Sequence, residues 1–183
     1  LGVDPVGIDD NFFELGGTSL LAVRFLNAIA NEFGRRLPLA SLLRHGTIAS
    51  QAKLLAESDA SPSCARSPVV VLRDGPGTLL VAVHPVGGNI LCYRDLVALV
   101  PDGTAVVALQ SPGDGAPRDV RELAARYIDA LAGQLARNRP LMLLGWSMGG
   151  VIAQEMARQL ETRGTAPLGL TMIDSYQSAD CRG

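Results

Sequence analysis

Two serines in this sequence lie in patterns that could do covalent chemistry. Ser147 is the middle residue of a Gly-x-Ser-x-Gly pattern at 145–149, and Ser19 follows a Gly-Gly-Thr triplet. A serine hydroxyl becomes a nucleophile when a neighbouring base accepts its proton, and it can also be esterified by a phosphate group. We therefore expect Ser147 to be a nucleophile and Ser19 to be the attachment point of a cofactor.

The residues around the Gly-x-Ser-x-Gly pattern predict a sharp turn from a strand into a helix. The apolar run at 141–144 has the length of a buried strand, and 148–163 has helical spacing of apolar residues. Gly145 and Gly149 carry no Cβ atoms that would collide across a turn of this kind, which holds the nucleophile in strained backbone geometry. The Met148 amide would then lie at the start of the helix and could stabilise an oxyanion. A serine that serves only the turn is the alternative.

A second oxyanion donor is expected in a loop after an earlier strand. The pattern His-Pro-Val-Gly-Gly at 84–88 follows an apolar run at 79–83, and Val86 is the candidate for the donating N–H group. Its two glycines would let the backbone approach a substrate. The alternative is that these glycines only form a tight turn.

Residues 78–175 resemble the first half of an α/β-hydrolase thioesterase of the type that terminates nonribosomal peptide synthetases. The resemblance rests on the Gly-Trp-Ser-Met-Gly-Gly and His-Pro-Val-Gly-Gly patterns. It implies a catalytic acid at the end of the strand that follows the nucleophile helix. Asp174, 27 positions after Ser147, matches that place. A strand-end aspartate that only turns the chain is the alternative.

A general base for the nucleophile is the missing part of this pattern. The resemblance implies a histidine that follows the acid, but the two histidines of the sequence, His45 and His84, both precede Ser147. We expect both to be non-catalytic and the catalytic histidine to lie beyond Gly183. The chain alone is therefore expected to be an incomplete enzyme, with an α/β-hydrolase domain truncated in its C-terminal half.

The pattern around the other serine indicates a carrier domain. Phe-Phe-Glu-Leu-Gly-Gly-Thr-Ser at 12–19 leads into an amphipathic helix, whose positive end would suit a phosphodiester on Ser19. The pattern resembles the attachment motif of peptidyl carrier (thiolation) domains over residues 1–57. This implies a covalent 4′-phosphopantetheine on Ser19, added by a phosphopantetheinyl transferase. The alternative is that Thr18 or Ser19 only caps the helix.

The pattern of apolar residues predicts two domains of different fold class. Residues 1–57 are predicted to be an all-α helical bundle without its first helix, and 58–68, rich in serine and proline, a linker. From 69 to 183, short apolar runs alternate with amphipathic helices, which is typical of an α/β domain with a largely parallel sheet. The predicted helices lie near 20–33, 39–43, 47–57, 90–100, 120–137 and 148–163, and the strands near 69–72, 79–84, 105–109, 141–145 and 169–173.

Composition limits the classes of partner. A formal net charge of −2 without a long basic cluster argues against nucleic acid and an anionic membrane surface, and no apolar run reaches the ~20 residues of a membrane span. Three widely separated cysteines, Cys64, Cys92 and Cys181, indicate neither a disulfide framework nor a metal site. We expect a cytoplasmic protein.

The two resemblances together imply the carrier–thioesterase portion of a nonribosomal peptide synthetase. An acyl or peptidyl chain tethered on Ser19 would pass to Ser147 and be released by hydrolysis or cyclisation. Upstream condensation and adenylation domains are the implied partners. Two alternatives are a polyketide synthase carrier–thioesterase, and a carrier whose degenerate thioesterase acts only as a docking module.

Overall fold

The computed structural model divides into two compact units, Leu1–Arg66 and Ser67–Gly183. The predicted linker lies outside the described residues, apart from Ser67 and Pro68. The described residues are 5–35, 37, 39, 41–57, 67–112, 117 and 119–175.

The first unit is helical, as predicted. Helix α1 begins after Thr18, whose side chain accepts a hydrogen bond from the Leu21 N–H at 3.3 Å. It ends at Gly34, whose φ of 66° is the left-handed conformation that glycine adopts readily. The short helix predicted at 39–43 starts two residues later in the structure. The three helices are α1 (Ser19–Phe33), α2 (Ser41–Arg44) and α3 (Ile48–Glu57).

A small apolar core holds the first unit together. Ala22, Leu26 and Ile29 repeat at three-to-four-residue steps on one face of α1, and Leu42 of α2 packs against them. Partly buried aromatic and leucine side chains complete this core: Phe12, Phe13, Phe25, Leu37, Leu39 and Leu55.

The second unit is built on a five-stranded sheet of the predicted, largely parallel kind. The strand order is β1-β3-β2-β4-β5, in which β1 is antiparallel to β3 and every other pair is parallel. Parallel pairing places the carboxyl ends of β2, β4 and β5 at one edge of the sheet. The strands are β1 (Val69–Arg73), β2 (Leu79–Val83), β3 (Ala105–Leu109), β4 (Leu141–Trp146) and β5 (Gly169–Ile173).

The helices of the second unit agree with the predictions except in one segment. The single helix predicted at 90–100 is wrong, because hydrogen bonds such as Tyr93 N–H to Ile90 O and Arg94 N–H to Leu91 O span three residues and wind the chain more tightly. The helix predicted at 120–137 is interrupted at Leu131. The segments are a 3₁₀ turn (Leu91–Tyr93), α4 (Leu96–Leu99), α5 (Val120–Ala130), α6 (Ala132–Leu135) and α7 (Met148–Thr162).

The main core lies between the sheet and helices α5 and α7. Alternate residues of the strands, such as Val81, Val107 and Leu143, are buried against apolar side chains of these helices, such as Tyr127 and Met156. Among the described residues, no helix is long and apolar enough to cross a membrane.

Candidate active site

Ser147 forms the junction between β4 and α7. Its backbone has φ 54° and ψ −126°, a conformation that is strained for a residue with a side chain. The Ser147 N–H donates to the Ile173 carbonyl of β5 at 2.8 Å, and the Gly150 N–H donates to the Ser147 carbonyl at 3.0 Å. The predicted sharp strand-to-helix turn is therefore present, and the surrounding hydrogen bonds hold it.

Three glycines make this turn possible. A Cβ atom on Gly145 would collide with the Gly149 backbone, and one on Gly149 would collide with the Val83 carbonyl. A Cβ atom on Gly150 would collide with the side chain of Ser175. The turn can therefore pack tightly against the ends of β2 and β5 only with glycine at all three positions.

Val86 lies in the loop that follows β2, and β2 is a direct neighbour of β4 in the sheet. The register pairs Val83 with Gly145, so this loop and the Ser147 turn leave the sheet at the same edge. Val86 is 70% exposed, and Met148 is the first residue of α7. Among the described residues, neither the Val86 nor the Met148 N–H has a hydrogen-bond acceptor. Both groups are thus available to an oxygen of a substrate.

Asp174 follows β5, the other neighbour of β4. The register pairs Trp146 with Ile173, so Ser147 and Asp174 are the next residues of two adjacent parallel strands. Asp174 is exposed and has a φ of 46°, which turns the chain away from the sheet. The structure thus brings the predicted nucleophile and the predicted acid to the same edge of the sheet.

His84 is buried and has partners for both ring nitrogens. Its Nδ1–H donates to the Pro85 carbonyl at 2.8 Å, and its Nε2 lies 2.7 Å from the Tyr127 hydroxyl, which also lies 3.3 Å from the Gln110 carbonyl. Burial lowers the pKa of His84, because the charged imidazole loses its solvation, although the hydrogen bond with Pro85 opposes this. His84 is therefore a neutral residue that anchors the loop to α5, while His45 lies in the first unit.

Tyr93 is a residue of this site that the sequence reasoning missed. Its hydroxyl donates to the Val83 carbonyl at 2.6 Å and accepts from the Trp146 N–H at 3.0 Å. The side chain is 4% exposed, and burial raises its pKa to about 12. The available signal was a tyrosine in an apolar segment soon after the two glycines of the loop.

Ser19 is the first residue of α1, where the backbone N–H groups of the first turn lack helical acceptors. The residues before it form a tight turn against Phe12. The Gly17 N–H donates to the Phe12 carbonyl at 2.9 Å, a Cβ atom on Gly17 would collide with the Phe12 ring, and Gly16 has a φ of 87°. No acidic side chain lies in the first turn of α1. This helix start would therefore tolerate a phosphodiester.

Phe12 is fixed by aromatic and backbone contacts. Its ring stacks on Phe25 at a centroid distance of 5.7 Å and meets Phe13 edge-on at 5.1 Å. The Phe12 N–H donates to the Gly46 carbonyl at 2.8 Å, which ties the turn to the segment before α3. The start of α1 is thus placed by packing as well as by its cap.

Comparison with known proteins identifies both units. The family model described as the thioesterase domain matches residues 78–181. The chain belongs to the thioesterase domain family. A second model, the phosphopantetheine attachment site, matches residues 1–55. This thioesterase chain therefore carries a phosphopantetheine attachment domain in front of its α/β domain.

The relatives are nonribosomal peptide synthetases. The chain is 36% identical over 180 residues to a dimodular nonribosomal peptide synthase of Bacillus subtilis (strain 168), covering 96% of this chain and 8% of that protein. It is 29% identical to enterobactin synthase component F of Escherichia coli O157:H7, covering 96% of this chain and 14% of that protein. The thioesterase chain thus spans a small part of these relatives.

Two solved structures share the fold. A four-domain nonribosomal peptide synthetase in its holo form, bound to AMP and glycine, matches with a TM-score of 0.61 and 35% identity, over 96% of this chain and 14% of that chain. The NocB thioesterase domain, in covalent complex with a fluorophosphonate nocardicin G analogue, matches with a TM-score of 0.54 and 32% identity, over 63% and 53%. The predicted fold, a helical carrier followed by an α/β-hydrolase domain, is confirmed. Among the described residues, no group of three or more His, Cys, Asp or Glu side chains could hold a metal ion.

Proposed function

We propose that this chain is the carrier and release portion of a nonribosomal peptide synthetase, in which a chain tethered on Ser19 is transferred to Ser147 and released. The observation that carries the proposal is the strained Ser147 turn beside Asp174, in the same chain as a phosphopantetheine attachment domain. Condensation and adenylation domains and a phosphopantetheinyl transferase are the proposed partners. The relatives favour this function over the polyketide alternative.

The residues at the start of α1 fit the cofactor. Ser19 would hold 4′-phosphopantetheine through its hydroxyl, and the first turn of α1 offers N–H groups to the phosphodiester without an opposing carboxylate. When bound, the cofactor supplies a flexible thiol on which an acyl or peptidyl chain is carried as a thioester. Gly16 and Gly17 add no side chains of their own to the turn before Ser19.

Ser147 begins the release by nucleophilic attack. Its Oγ forms a bond to the thioester carbonyl carbon as its proton passes to a base, and the carbonyl π electrons move to the oxygen. The oxyanion accepts hydrogen bonds from the Met148 and Val86 N–H groups. The C–S bond then breaks, the sulfur takes up the proton, and the acyl group remains as an ester on Ser147.

The base is proposed to be a histidine that Asp174 orients through a hydrogen bond. His84 does not suit this role because both of its ring nitrogens are engaged by Pro85 and Tyr127. The proposed histidine belongs to a segment other than these 183 residues. Asp174 would fix its tautomer and stabilise the imidazolium that forms.

Release from Ser147 is a second acyl transfer, in which the Ser147 oxygen is the leaving group. Water, or a hydroxyl or amine of the bound chain, attacks the ester carbonyl and loses its proton to the base. The C–O bond to Ser147 then breaks and its Oγ regains a proton. Water gives a free acid, whereas an internal nucleophile gives a ring, so both hydrolysis and cyclisation are compatible with the site.

Covalent labelling of Ser147 tests the proposal. The protein expressed from its complete reading frame is treated with a fluorophosphonate probe, and the labelled peptide is located by mass spectrometry. We expect the label on Ser147 and none on the Ser147→Ala variant. An unlabelled Ser147 in a folded protein would instead support the degenerate thioesterase that acts as a docking module.

A further inference from the structure

The Tyr93 hydroxyl lies at the end of the ladder between β2 and β4. It accepts a hydrogen bond from the Trp146 N–H at 3.0 Å and donates its own proton to the Val83 carbonyl at 2.6 Å. Tyr93 belongs to the 3₁₀ turn after the β2 loop, and its buried ring excludes solvent from this position. One hydroxyl therefore connects the last residues of two strands.

The register of β2 and β4 defines which backbone groups the Tyr93 hydroxyl contacts. The Leu79 N–H donates to the Pro140 carbonyl at 2.8 Å, which sets the alternation of donors and acceptors along the parallel pair. With Val83 paired to Gly145, the last donor and acceptor that face each other are the Trp146 N–H and the Val83 carbonyl. The Tyr93 hydroxyl contacts both members of this last pair.

Both strand ends lead directly into the acyl-transfer site. Val83 is followed by the loop that carries Val86, and Trp146 is followed by Ser147 and Met148. The Val83 carbonyl also lies against Gly149 in the first turn of α7. The loop with Val86 and the turn with Met148 therefore both start from strand ends that the Tyr93 hydroxyl contacts.

We infer that Tyr93 is a positioning residue for acyl transfer: its hydroxyl sets the spacing between the Val86 and Met148 N–H groups. This inference rests on the proposed function, because it concerns the oxyanion site for Ser147. Tyr93 does not touch the reacting atoms. It acts through the backbone of β2 and β4, with which its hydroxyl forms both hydrogen bonds.

The test compares inactivation of the complete protein by a fluorophosphonate probe. Tyr93→Phe keeps the ring and removes the hydroxyl, so we expect the maximal labelling rate to fall about tenfold, with the half-saturating probe concentration unchanged within about twofold. Thr162→Val is the control, because it also removes one hydroxyl, but one that donates to the Arg158 carbonyl at the end of α7 opposite Ser147. We expect its rate to change less than about threefold.

Two unnatural side chains separate positioning from packing and keep the test valid if Tyr93→Phe does not fold. 4-Aminophenylalanine at position 93 retains an N–H donor, whereas 4-methylphenylalanine has a similar shape and no polar group. We expect the amino variant to label at least about threefold faster than the methyl variant.

The outcomes distinguish this inference from the proposed function. Equal labelling rates for the folded wild type and the folded Tyr93 variants, with the label on Ser147, would overturn the role of Tyr93 and leave the proposed function standing. No labelling of the wild type, or labelling that persists in Ser147→Ala, would overturn both.

Discussion

His84 links the stability of the second unit to pH. Burial keeps its pKa below the ordinary 6.5, while the unfolded chain leaves the imidazole near that value. As the pH falls below about 6.5, the unfolded chain takes up a proton that the folded chain does not, so the free energy of unfolding decreases. Above that pH the contribution of His84 is fully present.

Replacing this residue should remove part of the acid sensitivity. In His84→Gln we expect the dependence of unfolding free energy on pH to become shallower between about pH 6.5 and pH 5, by at most ~1.4 kcal/mol per pH unit. Urea denaturation at a series of pH values measures this slope. A variant with the slope of the wild type would show that His84 is not held neutral by the fold.

The glycines of the Ser147 turn provide a second test at the level of single residues. In Gly149→Ala the new Cβ atom would collide with the Val83 carbonyl, so we expect a loss of ~1–3 kcal/mol of stability and slower labelling of Ser147. Gly133 in α6 is the control, because a Cβ atom there meets nothing within 4 Å. Gly133→Ala should be neutral or stabilising by up to ~1 kcal/mol. Urea denaturation of both variants measures their free energy of unfolding. Equal losses of stability would contradict the packing described for the turn.

The stability of helix α1 depends on its N-terminal cap. Thr18 satisfies one N–H of the first turn, and in Thr18→Ala that group loses its partner. We expect the first unit to lose ~1 kcal/mol of stability, measured by urea denaturation. Thr18→Ser keeps the accepting oxygen and should stay close to the wild type. If serine and alanine are equally destabilising, the methyl group of Thr18 and not its oxygen is what supports the helix.

Local patterns predicted the strands because each strand is a short apolar run between turn residues. All five lie within one residue of their predicted bounds. The segment at 90–100 could not be predicted in the same way. Its apolar spacing suits a helix, but Ile90, Leu91 and Tyr93 are all buried, and the Tyr93 hydroxyl bonds to Val83 and Trp146. Such tertiary contacts are not visible in the local spacing of apolar residues. The antiparallel pairing of β1 is likewise a tertiary property that its five apolar and basic residues do not encode alone.

The residues of the candidate site also differ in whether local sequence could predict them. Ser147 and its flanking glycines were predictable because the turn is encoded by adjacent residues. The bridging role of Tyr93 was not, since its partners lie 10 and 53 positions away and meet only where β2 and β4 end side by side. Asp174 required a family resemblance to be singled out, because an aspartate after a strand is common in turns.

At the scale of the whole molecule, the attachment domain and the thioesterase domain are joined in one chain. Joining two domains in one chain holds a bound substrate near its target at an effective concentration often in the millimolar range. We predict that cutting a protease site inserted within 58–66 slows release about 100-fold at micromolar protein, while the uncut insertion protein releases normally. Rates of product formation before and after cleavage measure this. Equal rates would mean that the tether makes no contribution.

The central claim is that the group carried on Ser19 passes to Ser147. The most direct measurement loads an isotopically labelled acyl-pantetheine arm onto the protein expressed from its complete reading frame, stops the reaction at short times and identifies the labelled peptides by mass spectrometry. The acyl label should appear first on the Ser19 peptide and then on the Ser147 peptide, and it should remain on Ser19 in Ser147→Ala. An acyl label that leaves Ser19 equally fast in Ser147→Ala, without ever reaching position 147 in the wild type, would contradict the account.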